Sequence, residues 1–141
     1  MTLKEYFKGD HFASLVGAEL IDVREGYAKA RLLVTQEHLN GGGVCQGGAI
    51  FTLADLAFAG AVNSHGTLTL STNASITYVH AAHEGYLYAE AHEVVNHHRL
   101  PFAEVRVTDE TGQIIAILTS SGYRKEKINL SPSLPEKEAE R

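Results

Sequence analysis

Residues 49–62, AIFTLADLAFAGAV, are apolar on every helical face except at Thr52 and Asp55. Alanine and leucine favour helix, and the run is too long for an ordinary strand. It is therefore expected to be an α-helix buried on most sides. It is too short to span a bilayer and holds an acid near its middle, so no membrane association is expected. A helix of this kind has to be wrapped by the rest of the chain.

The wrapping follows in the sequence. Ala18–Arg24 and Tyr27–Val34 alternate and are joined at Glu25-Gly26, which reads as a hairpin. Period-two patterning then covers residues 67–80, 86–97, 102–108 and 113–123. No strand–helix–strand alternation appears, so the sheet should be antiparallel. A first helix is expected over residues 3–15, weakened by Gly9, with Leu3, Tyr6, Phe7 and Leu15 as its apolar side and Gly17 as its stop. The expected class is α+β, one domain over residues 1–128. Residues 129–141, with Pro132, Pro135 and a run of charges, read as a disordered tail.

Composition removes several functional classes. The 141 residues carry 12 Lys+Arg against 17 Asp+Glu, a formal charge of −5, the wrong balance for gripping phosphates of nucleic acid. A single cysteine, Cys45, excludes an internal disulfide and most structural zinc sites. Cys45 reads as a small buried residue or, from its place near a glycine cluster, as a nucleophile. The eight histidines lack metal-ligand spacing: His97 and His98 are adjacent, and His80 and His83 need not share a face. No catalytic metal is expected. Met1–Asp10 has no apolar run of the signal-peptide kind, so a cytoplasmic location is expected.

Asp55 is the residue with the most chemistry. An ionised carboxylate taken out of water costs several kcal/mol or more without partners. No positive charge stands at its helical neighbours Phe51, Thr52, Phe58 or Ala59. Asp55 either faces water, pairs with a distant arginine, or is a carboxylate held in an apolar cleft as base or nucleophile. Just before the helix, five glycines (Gly41, Gly42, Gly43, Gly47, Gly48) fall within eight positions. The first N–H groups of a helix have no internal partner, and Gly47-Gly48 would let a ligand oxygen approach them, as an oxyanion hole does. The other reading is a tight turn.

Spacing constrains the combination. Gly47 and Asp55 are separated by eight residues, roughly 12 Å along an α-helix. An oxyanion donor and an attacking group both have to lie about 3 Å from one carbonyl. If both residues act, Gly47 of one protomer has to work with Asp55 of another, as two antiparallel helices around a dyad would allow.

The run from Leu39 to Gly48 (LNGGGVCQGG), followed by Leu53-Ala54-Asp55 and Phe58-Ala59, resembles the hotdog-fold acyl-CoA thioesterases, closest to the PaaI-like, phenylacetyl-CoA thioesterase branch. Asn63-Ser64-His65-Gly66, Ser75-Ile76-Thr77-Tyr78 and the strand order fit the same family. The resemblance implies a hotdog fold, in which a curved antiparallel sheet wraps one helix. It also implies homodimers with shared active sites, often paired into homotetramers. The implied reaction is hydrolysis of a small-to-medium, in some members aryl, acyl-CoA, with CoA entering only as part of the substrate and no cofactor. Asp55 would be general base or nucleophile, and the Gly47 N–H, with Gly48 beside it, would hold the thioester oxygen. Asn40 would place water or substrate. Ser71 matches an assisting serine, with Thr72 as the alternative alignment. The chain departs from the family at Gln46, where relatives usually carry His, and at Asn40-Gly41-Gly42, where Asn-Gly-His is usual. Glutamine still donates a hydrogen bond but cannot be protonated near neutral pH. His97, His98 and Arg99, at a hairpin end, form a solvated turn or contact CoA phosphates, and Lys125 and Lys127 admit the same two readings. The competing functions are a non-catalytic acyl-CoA sensor and a hotdog enoyl-CoA hydratase or dehydratase.

Overall fold

The computed structural model describes residues 1–131, without the side chains of residues 126–128. Two short helices, α1 (Leu3–Lys8) and α2 (His11–Val16), precede strands β1 (Ala18–Arg24) and β2 (Tyr27–Val34). A single 3-10 turn, Gln36–His38, leads to the long helix α3 (Gly47–Asn63). Strands β3 (Thr67–Tyr78), β4 (Gly85–Val95), β5 (Phe102–Asp109) and β6 (Ile114–Asn129) follow. All six strands join one antiparallel sheet in the order β1-β2-β4-β5-β6-β3, and α3 packs against every one of them. This is the expected α+β hotdog architecture.

The sheet can curl around the helix because its inner face is floored with alanine. Ala28 pairs with Ala91 and Ala91 with Val105; Ala30 pairs with Ala89 and Ala89 with Val107. All six are fully buried. Small side chains bring the strands close to α3, and Leu32, Leu53, Phe58, Leu87 and Leu118 fill the remaining space. The closest approach is at Gly60, where an added Cβ would stand 2.7 Å from the Ala28 Cβ and 3.0 Å from Leu20 Cδ2. Gly60→Ala is therefore expected to destabilise the fold by about 1–3 kcal/mol through overpacking, although alanine is the better helix former. Chemical denaturation at fixed m-value checks this.

The end of α3 is pinned by Asn63, which is fully buried. Its amide donates to the Ala59 and Thr69 carbonyls (2.8 and 3.1 Å) and accepts from the Thr69 N–H (2.7 Å). A buried amide satisfied on both sides fixes where β3 starts relative to the helix.

Two expectations change. The helix expected over residues 3–15 is broken in two. Gly9 ends α1, and Asp10 caps α2 by accepting from the Ala13 N–H at 3.0 Å. The break turns the second half, so Ala13 is buried while Leu15 is 81 % exposed. The C-terminal boundary also moves. β6 runs to Asn129, pairing there with Thr67. Leu130 is buried, and Ser131 pairs with Thr2, its carbonyl accepting from the Leu3 N–H at 2.8 Å. Residues 129–131 therefore belong to the fold rather than to a tail; residues 132–141 lie outside the described residues. Among the described residues no helix is long and apolar enough to cross a membrane.

Candidate active site

The loop before α3 is built on Asn40. Its side-chain oxygen accepts from the Gly42 and Val44 N–H groups (2.8 and 3.3 Å), and its own N–H donates to the Val44 carbonyl at 2.8 Å. Gly43, at φ 80°, closes the turn in a conformation that suits glycine. The Asn40 oxygen is thus spent on its own loop, and only its NH₂ remains for water or substrate. His38 anchors the loop from below: its Nε2 meets the Val16 carbonyl at 2.6 Å, and its own carbonyl accepts from the Gln46 N–H at 2.8 Å. Gln46 is the residue before the helix, and its side chain is exposed and makes no capping bond.

Gly47 is the first helical residue. No acceptor among the described residues meets its N–H or that of Gly48, as helix geometry requires. Tyr78 of β3 packs closely over Gly47. A Cβ there would stand 3.0 Å from Tyr78 Cζ, and the Tyr78 hydroxyl donates to the Gly47 carbonyl at 3.0 Å. Gly48 has open space around it. Asn40, Val44, Gly47, Ile50, Tyr78 and His80 are among the walls of a cleft of about 300 Å³ at this end of α3. Cys45 is in the same lining but is buried, and that burial pushes its thiol pKa up, away from the reactive thiolate.

Asp55 opens on a different cleft, of about 250 Å³. Its walls are Tyr6, Phe7, Gly9 and Asp10 from the N-terminal helices, Asp55, Phe58 and Ala59 from α3, and Thr69, Leu70 and Ser71 from β3. Asp55 is partly buried, and among the described residues its carboxylate has neither an ion pair nor a hydrogen bond. Burial, and secondly the negative charge of Asp10, hold its carboxyl above the ordinary 3.8. The arginine partner considered from sequence is therefore absent from the described residues. The Tyr6 phenol is raised as well, first by burial and then by the two carboxylates.

The two clefts share no lining residue. One chain therefore offers an unpaired amide in one place and a desolvated carboxylate in another, as helix rise requires. Ser71 lines the Asp55 cleft, with its Oγ 3.2 Å from the Ser120 Oγ. Thr72 does not line it, and its hydroxyl donates instead to the Ser121 carbonyl at 3.2 Å. His97, His98 and Arg99 line neither cleft. His97 Nδ1 accepts from the Arg99 and Leu100 N–H groups (3.1 and 2.8 Å), and Arg99 reaches the Tyr123 hydroxyl at 3.3 Å. The base of that loop is held by buried Arg124, which donates to Asn96 and the His97 carbonyl and pairs with Glu93.

Sequence reasoning missed Tyr6, Phe7 and Asp10 beside Asp55, and Tyr78 against Gly47. An N-cap aspartate right after Gly9 was the readable sign of the first group. Tyr78 stands in the Ser75-Ile76-Thr77-Tyr78 stretch that fits the family, but nothing in the sequence marks its contact with Gly47.

Comparison with known proteins identifies the family. The sequence pattern of the Thioesterase superfamily matches residues 42–116, which contain Gly47, Asp55 and Ser71. A protein of Archaeoglobus fulgidus named "Putative esterase" is 44 % identical over 124 residues, covering 86 % of this chain and 80 % of the relative. The acyl-coenzyme A thioesterase PaaI of Escherichia coli is 35 % identical over 79 residues, 56 % of each chain. The solved structure of E. coli PaaI superposes with a TM-score of 0.85 at 26 % identity, over 90 % of this chain and 92 % of that one. The TT0310 protein of Thermus thermophilus gives 0.78 at 30 % identity, over 82 % and 98 %. By sequence and by fold, the chain belongs to the thioesterase superfamily, as a hotdog thioester hydrolase of the PaaI-like branch.

Proposed function

We propose that the protein hydrolyses small-to-medium acyl-CoA thioesters at sites shared across a homodimer. The observation that carries this is the separation of the unpaired Gly47 N–H and the desolvated Asp55 into two clefts of one chain. In the proposed reaction the Gly47 N–H polarises the thioester carbonyl. The partner's Asp55 takes a proton from water, and the resulting hydroxide attacks the carbonyl carbon. The C–S bond then breaks, the proton passes to the leaving CoA thiolate, and free acid remains. Direct attack by Asp55 would give a mixed anhydride instead. A single turnover in ¹⁸O-water with trapping of the acyl-enzyme separates the routes: label in Asp55, or a trapped acyl group on it, marks the anhydride route, whereas label in the first product acid with no trappable acyl-enzyme marks the base route. The scheme requires no metal or other cofactor.

The dimer would form through β3. It is an edge strand of 12 residues without a charge, and residues 70–75 are all exposed. Such an edge is a ready template for pairing. Pairing with a second copy around a dyad would continue the sheet and lay the two α3 helices antiparallel, with each Gly47 near the partner's Asp55. Pairing of two dimers into a tetramer fits the family resemblance, and light scattering measures it. The hydratase reading is disfavoured because Gln46, and not a histidine, precedes Gly47-Gly48.

A panel of acyl-CoAs with free-thiol detection tests the reading. Turnover by the wild type, lost in Asp55→Ala, is expected. Saturable binding of the same thioesters without thiol release would instead make the protein a sensor. Gln46→His is expected to raise turnover where charge-assisted polarisation is limiting.

A further inference from the structure

The Asp55 cleft has one wall that comes from outside the segment matched by the family. Tyr6, Phe7, Gly9 and Asp10 all precede residue 42. This wall is firmly built. Asp10 is held as the N-cap of α2, Tyr6 and Phe7 stack edge-to-face at 5.0 Å, and α1 is tied to the segment after β6 through Leu3 and Ser131. The ionisable groups lining the cleft, among the described residues, are Asp55, Asp10 and Tyr6; β3 contributes only Thr69, Leu70 and Ser71. The basic residue at the end of α1, Lys8, lines the neighbouring groove with Glu19 instead.

We propose that the α1–α2 unit is the acyl-selecting wall of the site and that Asp10 makes it a charge filter, admitting uncharged acyl groups and rejecting those that end in a carboxylate. The proposal rests on the thioesterase reading above and deepens it. An uncharged chain packs its methylenes on Tyr6, Phe7, Phe58 and Leu70. An acyl group with a terminal carboxylate brings a third negative charge into a partly desolvated cleft that offers no cation among the described residues. Like charges at short range in such a setting repel strongly. Asp10 touches no reacting atom in this scheme; it is a specificity residue.

The test compares hexanoyl-CoA with adipyl-CoA, which have the same number of acyl carbons and differ by the terminal carboxylate. The wild type is expected to favour hexanoyl-CoA in kcat/KM by at least about a hundredfold. Asp10→Asn keeps the helix cap, since asparagine caps as well as aspartate, and removes the charge. It is expected to narrow the ratio about tenfold, mainly by improving adipyl-CoA. Asp10→Ser, a second capping residue, should do the same, and raised ionic strength should narrow the wild-type ratio. Equal wild-type rates on the two thioesters, or an unchanged ratio in both folded variants, would overturn the filter. If no thioester is turned over, the hydrolase reading fails by itself. The filter is then read from competition between the two thioesters for binding to wild type and to Asp10→Asn, with the same ratios expected.

Discussion

Asp55→Ala is expected to lower kcat/KM for the best acyl-CoA by about 10³-fold, equivalent to about 4 kcal/mol of transition-state stabilisation, while the protein stays folded. The carboxylate has no structural partner to lose, because among the described residues it makes no hydrogen bond or ion pair. The loss should therefore appear in turnover and not in stability. In the wild type the acid limb of the kcat/KM profile should lie above the ordinary aspartate value of 3.8, since burial first, and Asp10 second, favour the protonated form. The same displacement has a thermodynamic counterpart. The folded state holds the Asp55 proton more tightly than the unfolded state does. Unfolding free energy therefore falls as pH rises from 3.8 through the folded pKa, and the full cost is present above it. Asp55→Asn removes that cost, so its Tm at pH 7 should exceed the wild type's by a few degrees, and the gap should close below pH 3.8. Calorimetry across pH reads this directly. An Asp55→Asn protein that is both inactive and more stable is the signature of a charge kept for chemistry.

Gly47→Pro is expected to lower activity by about 10²- to 10³-fold, the usual effect of deleting one oxyanion donor. Proline suits the first helical position, where the missing N–H has no helical partner to lose. The preceding residue, Gln46, already sits at φ −59°, ψ 133°, a conformation that proline tolerates before it. Gly47→Ala keeps the N–H but presents its Cβ to Tyr78 at 3.0 Å, so it controls for the steric part. The larger effect comes from mixing. Asp55→Ala and Gly47→Pro chains are each inactive as homodimers when sites are shared. In a mixed dimer one site receives Gly47 from the first chain and Asp55 from the second, and both are intact. Half the dimers in a random equal mixture are mixed, and each has one good site of two. Refolding the variants together should therefore restore about a quarter of wild-type activity. Sites contained within single chains would show no recovery at all.

Legibility in the sequence varied by kind of feature. Helix α3 stood out because fourteen consecutive positions with two polar residues leave no other structure. The strands were readable because antiparallel strands alternate, and their boundaries held to within a few residues until β6. There Arg124 and the charges after it read as exit from the sheet, whereas Arg124 is buried through its bonds to Glu93, Asn96 and the His97 carbonyl. Charge reports solvation only when a partner is absent, and partners are tertiary. Asp55 and Gly47 could be picked out because a lone acid in an apolar helix and glycines at its start are local anomalies. Asp10 and Tyr78 could not, since each is an ordinary surface-type residue until the fold brings it against the cleft. Gly9 weakens a single helix over residues 3–15 already in the sequence, but only the fold shows that the break there makes Asp10 the cap of α2 beside Asp55.

The pairing of Thr2 with Ser131 makes the described chain almost a ring, with Leu3 and Leu130 both buried. Position 131 therefore hands directly to α1, whose Tyr6 and Phe7 wall the Asp55 cleft. Residues 130–131, just beyond β6, act as a latch on the first helix. Shortening the chain from its C-terminal side to residue 128 would release that latch without touching any residue near Asp55, and would alter the cleft from the far end of the sequence.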